Sequence, residues 1–122
     1  MRRVVIGALL LAAPVAVHAM NVAEFLAKAE ALEKKGAMAL FSKDMGLLKS
    51  EVQSAGKAIR AERLAATKAG RTPVACPPAD GKAKLDSKEL MAHFRAIPPA
   101  ERGMSVKDGL SGLLAKKYPC RS

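Results

Sequence analysis

Two cysteines, Cys76 and Cys120, and two histidines, His18 and His93, are the residues of this chain best suited to nucleophilic or metal chemistry. A thiol nucleophile needs a base beside it and a free sulfur. Zinc needs about four ligands, supplied in close pairs such as CxxC or HxxxH, and the sequence contains no such pair. The acids Asp80, Asp86, Glu89, Glu101 and Asp108 are scattered, and several read better as helix caps than as a general acid and base couple. His93 follows Glu89 by four residues, a spacing that pairs the two on a helix. No Gly-rich phosphate loop of the P-loop or dinucleotide type occurs. The expectation is a protein that binds rather than an enzyme, with no catalytic residue, metal or cofactor.

What the cysteines do depends on the compartment. The chain starts with Arg2 and Arg3, continues with the apolar run Val4 to Ala13, and then carries Pro14 and Val17-His18-Ala19. That is a basic n-region, an apolar stretch shorter than the roughly 20 residues of a spanning helix, and small residues where a signal peptidase cuts. Residues 1–19 are therefore read as a signal peptide. Residues 20–122 are read as one periplasmic domain without a transmembrane span. Cleavage would remove His18 and leave His93 as the one histidine. In an oxidising compartment Cys76 and Cys120 form a structural disulfide, which leaves no thiol to act with His93.

Cleavage takes away two arginines and no acid, so a formal charge of +10 becomes +8 over 103 residues. Outside the cytoplasm such a charge attracts phospholipid headgroups, cell-wall polymers or acidic proteins. Nucleic acid is not an expected partner, because Phe25, Phe41, Phe94 and Tyr118 do not interleave with the basic residues as a base-stacking surface requires. The densest basic segment contains Lys57, Arg60, Arg63, Lys68 and Arg71 against Glu62. It reads either as a solvated helix face or as a contact for an anionic partner.

The elements that must position these residues are helices. Asn21 with Glu24 forms a capping box, and Val22, Phe25, Leu26, Ala29 and Leu32 share one face, which predicts a helix over 22–35 closed by Gly36. Ala37 to Phe41 is a turn or lead-in. Phe41, Met45, Leu48, Val52, Ala55 and Ile59 repeat at spacings of four and three, which predicts a long helix over 43–69 with that seam packed inward. Pro73, Pro77, Pro78 and Gly81 mark 71–85 as an ordered loop around Cys76. Two further capping boxes, Asp86 with Glu89 and Ser105 with Asp108, start helices over 87–97 and 106–117, with a proline turn at 98–104 between them. No segment alternates with period two. The predicted fold is all-α, a small bundle of about four helices, with a subdomain over 76–120 closed by one disulfide.

Cys76-Pro77, a helix ending before a proline turn, a Leu/Ala-rich helix and the closing Tyr118-Pro119-Cys120 form a pattern that resembles the C-terminal half of the Rap/Tai family of immunity proteins. These are exported helical proteins that neutralise peptidoglycan amidase toxins delivered by type VI secretion. The resemblance spans about 75–121, and residues 20–75 lack the second cysteine pair that members usually carry. It implies a Cys76–Cys120 bond, stoichiometric inhibition of a secreted amidase toxin, and a homodimer. An inhibitor of this kind must fill a cleft, which draws attention to the rigid turn holding Pro98, Pro99, Glu101, Arg102 and Met104. The same prolines also serve as helix terminators. Two other roles fit the sequence: a basic envelope protein that binds anionic cell-wall polymer or a membrane surface, and a small acid-protective chaperone triggered through its carboxylates.

Overall fold

The computed structural model describes residues 19–78 and 84–121. The stretch read as a signal peptide (all but Ala19), with His18, lies outside the described residues, as do Asp80 and Gly81. Among the described residues the chain is all-helical: α1 (Val22–Lys35), a 3-10 helix (Gly36–Phe41), α2 (Lys43–Lys68), α3 (Ser87–Ala96), a short 3-10 turn (Pro99–Glu101) and α4 (Val106–Lys117). No strand occurs among them. A single backbone bridge joins Asn21 to Ser105.

Each α-helix starts on a side-chain cap. Asn21, Ser42, Asp86 and Ser105 accept the backbone N–H of Glu24, Asp44, Glu89 and Asp108 respectively. Such a cap satisfies one of the amides that a helix start leaves without a partner, and each contributes about 1 kcal/mol. Further amides at these starts are satisfied across the fold. Val22 N–H donates to the Met104 carbonyl at 2.9 Å, Ala23 N–H to that of Arg102 at 2.9 Å, and Val106 N–H to that of Met20 at 3.0 Å. The first turns of α1 and α4 are thereby tied together at one end of the bundle.

Helix ends follow local chemistry. Gly36 closes α1 at φ +57°, a backbone region that disfavours a side chain. The third helix stops at Ala96, one residue before the predicted end. Ile97 lies at φ −66° and ψ 125°, because a residue preceding proline is pushed out of the helical region. Similarly, α2 stops at Lys68 with Ala69 as its cap, and Gly70 at φ +74° turns the chain away.

At the centre lie Val22, Phe94 and Val106, each 0 % exposed. Phe25 meets Phe94 edge to face, with ring centroids 5.3 Å apart. The fourth helix approaches so closely that a Cβ on Gly109 would stand 3.0 Å from both Phe94 and Val22, a tight fit that would make those side chains shift. Along α2, Leu48 and Ala55 are buried, and Met45, Val52 and Ile59 pack against the core. Phe41 corrects the predicted seam. It lies in the 3-10 helix before the Ser42 cap, where the 3.6-residue period no longer governs it, and it is 84 % exposed.

Candidate docking surfaces

Cys76 and Cys120 are joined, with Cα atoms 4.9 Å apart and a sequence separation of 44. The bond ties the 71–78 segment to the end of α4. Beside it, Cys76 N–H donates to the Tyr118 carbonyl at 2.8 Å, and Ala75 is buried. Lys117 braces the same region, donating to the Glu89 carboxylate at 2.8 Å and to the Lys84 carbonyl at 2.5 Å. Its hydrogen bond with Glu89 holds the Lys117 ammonium above the usual lysine range. Glu89 is thus taken by Lys117 rather than by His93, correcting the expected pair. The His93 ring instead lies against α4 at Gly112, where a Cβ would come within 3.5 Å of Nε2. Among the described residues no cluster of His, Cys, Asp and Glu could hold a metal ion.

The turn over 98–104 divides into two parts. Pro98, Pro99 and Glu101 are exposed. Arg102 is committed inward: its Nε donates to the Ile97 carbonyl and its guanidinium NH2 to the Arg95 carbonyl, both at 2.9 Å, closing the end of α3. Met104 packs against the core, and its carbonyl holds the start of α1. Of the five residues, Pro98, Pro99 and Glu101 remain available to a partner.

The basic segment is also divided. At 100° per residue, Lys57, Arg60 and Lys68 fall within about 80° of one another, on the side of α2 opposite the buried Leu48 and Ala55. Leu64, 57 % exposed, lies between them. Arg63 and Arg71 leave this stripe and line a cleft of about 400 Å³ with Pro73, Ala75, Ser111 and Leu114. The five residues therefore do not form one surface.

Two apolar features have no counterpart in the sequence reading. One is an open groove of about 750 Å³ among α1, α2 and α3, lined by Phe25, Leu32, Leu48, Val52, Leu90 and Met91, with Lys49 and Lys88 also on its walls. The other is the corner at Gly36–Phe41, where Met38 is 67 % and Leu40 73 % exposed beside Phe41, with Leu47 at 51 % on the first turns of α2. The signal for the corner was present: Ala37 to Phe41 is an apolar run that belongs to no helical face, a pattern out of place on a surface without a use. The groove left no such signal, because its walls come from separate helices. At 1.5 Å per residue, the 14 residues of α1 place the 98–104 turn and the apolar corner about 20 Å apart, at opposite ends of that helix.

No protein-family model matches the chain, and comparison with curated proteins and with solved structures finds no match.

Proposed function

We propose that this chain is a small exported binding protein that inhibits a partner by stoichiometric contact, in the manner of the immunity proteins its C-terminal half resembles. The observation that carries this reading is the concave apolar groove of about 750 Å³ on a bundle closed by a disulfide. A rigid groove of this kind accepts the apolar side chains of one helical turn or loop tip at low entropic cost. Its walls carry both signs, Lys49, Lys88 and Arg95 beside Glu33 and Asp86, so the apolar floor rather than net charge would select the segment. The bond between Cys76 and Cys120 supports a periplasmic location. Mixing the oxidised protein with secreted peptidoglycan amidases is expected to abolish the activity of one of them at a one-to-one ratio. Val52→Lys in the groove is expected to restore that activity and Glu101→Ala to leave inhibition intact. Failure to bind any amidase of this class would end the reading.

A second reading is favoured by the outward stripe of Lys57, Arg60 and Lys68: a basic envelope protein held on anionic cell-wall polymer or a membrane surface. Retention on purified cell-wall polymer should then fall steeply between about 0.05 and 0.5 M salt, as the Debye length shrinks to a few ångströms. Retention that does not change with salt would rule the stripe out as the contact.

A further inference from the structure

We propose that the corner formed by the 3-10 helix Gly36–Phe41 is a membrane-docking wedge, inserting Met38, Leu40 and Phe41 into the interfacial layer of an anionic bilayer. This goes beyond the inhibitor reading, and it uses a different element from the basic stripe of the second reading.

The corner is built to present these side chains. Gly36 at φ +57° turns the chain at the end of α1, Ser42 N–H donates to the Ala39 carbonyl at 3.0 Å, and the Ser42 side chain caps α2. Ala39 is buried at 7 % and pins the turn to the core, while Met38, Leu40 and Phe41 project at 67 %, 73 % and 84 % exposure. In a 3-10 helix residues three apart lie on one edge, so Met38 and Phe41 point the same way. The tip is therefore fixed and apolar.

Its flanks carry a collar of lysines. Lys34 and Lys35 precede the turn and Lys43 follows it. The acids adjacent to them are engaged elsewhere, Glu33 with Arg95 at 2.8 Å and Asp44 with Lys28 at 3.4 Å, and Glu30 lies one turn before Lys34. None of the three lysines has an acidic partner among the described residues. An apolar tip collared by lysines matches the layered chemistry of a bilayer surface, with acyl chains beneath and anionic headgroups around. Protein interfaces, by contrast, are depleted in lysine and seat their anchors in pockets. Among the described residues no helix is long and apolar enough to cross a membrane, so insertion at this corner would be interfacial.

The test is co-sedimentation of the oxidised protein, purified from the periplasm, with vesicles of phosphatidylglycerol and phosphatidylethanolamine or of phosphatidylcholine alone. The protein is expected to bind the anionic vesicles at least tenfold more strongly than the neutral ones. Leu40→Asp with Phe41→Asp should reduce that partition at least tenfold, with helical circular dichroism unchanged because both positions are solvent-exposed. Lys34→Glu with Lys35→Glu should also reduce it, and Lys57→Glu with Lys68→Glu should leave it within twofold. Three results would overturn the proposal: no binding to anionic vesicles, equal partition of the Asp variant, or a dimer in light scattering that the Asp variant dissociates, which would assign the corner to a second copy of the chain. Loss of binding only in the Lys57 and Lys68 variant would transfer membrane contact to the basic stripe.

Discussion

Replacing Phe94 with alanine is expected to destabilise the protein by about 3–5 kcal/mol, a large share of what a domain of this size possesses. Phe94 is 0 % exposed and stands where three helices meet: its ring packs edge to face with Phe25 on α1, and α4 comes close to it at Gly109. A neighbourhood fixed on three sides cannot collapse into the space the ring leaves. The cavity cost then adds to the lost transfer free energy. Phe41→Ala is the natural comparison, because the same side chain at 84 % exposure buries little. Its effect should stay within about 0.5 kcal/mol. Urea unfolding followed by circular dichroism measures both, and similar midpoint shifts for the two variants would contradict the assigned core.

Reduction of the Cys76–Cys120 bond, or replacement of both cysteines by serine, is expected to remove about 4 kcal/mol. The bond closes a loop with a sequence separation of 44, and opening it returns to the unfolded chain the conformational freedom the crosslink had withheld. Much of this effect acts on the unfolded state. Locally, the loss falls on the 71–78 segment, which has Pro, Thr and Arg in place of a regular element and is held near the bond by Ala75 and the Cys76 to Tyr118 hydrogen bond. The urea midpoint should fall on adding reductant to the native protein and remain unchanged in the double serine variant. A reductant-induced shift of under about 1 kcal/mol would mean that packing alone holds the C-terminal helices. Loss of this magnitude would also disable any inhibitor role, since a docking groove needs fixed walls.

How much of the candidate surface could be read in advance differs from place to place. Asn21, Asp86 and Ser105 carry their caps in the letters themselves, because a cap is made between residues three apart. The turn's sequence suggests Arg102 as a surface contact, yet its guanidinium closes α3. Carbonyls without partners at a helix end become visible only when the turn that follows folds back onto them. The basic segment is one stretch of sequence and two surfaces, because the helical period turns Arg63 toward another side of α2 and Arg71 follows the loop after Gly70.

The sequence alone determined the all-helical class and the starts of the four helices, which rest on the short-range chemistry of capping, period and proline, and the disulfide, because two cysteines allow a single intrachain pairing. Tertiary structure decided what faces outward. It exposed Phe41, engaged Glu89 with Lys117, brought α4 at Gly109 close against Phe94 and Val22, and opened an apolar groove between helices distant in the chain. Burial and long-range pairing depend on which helix covers which, and that is fixed by the packing of all four together rather than by the period of any one.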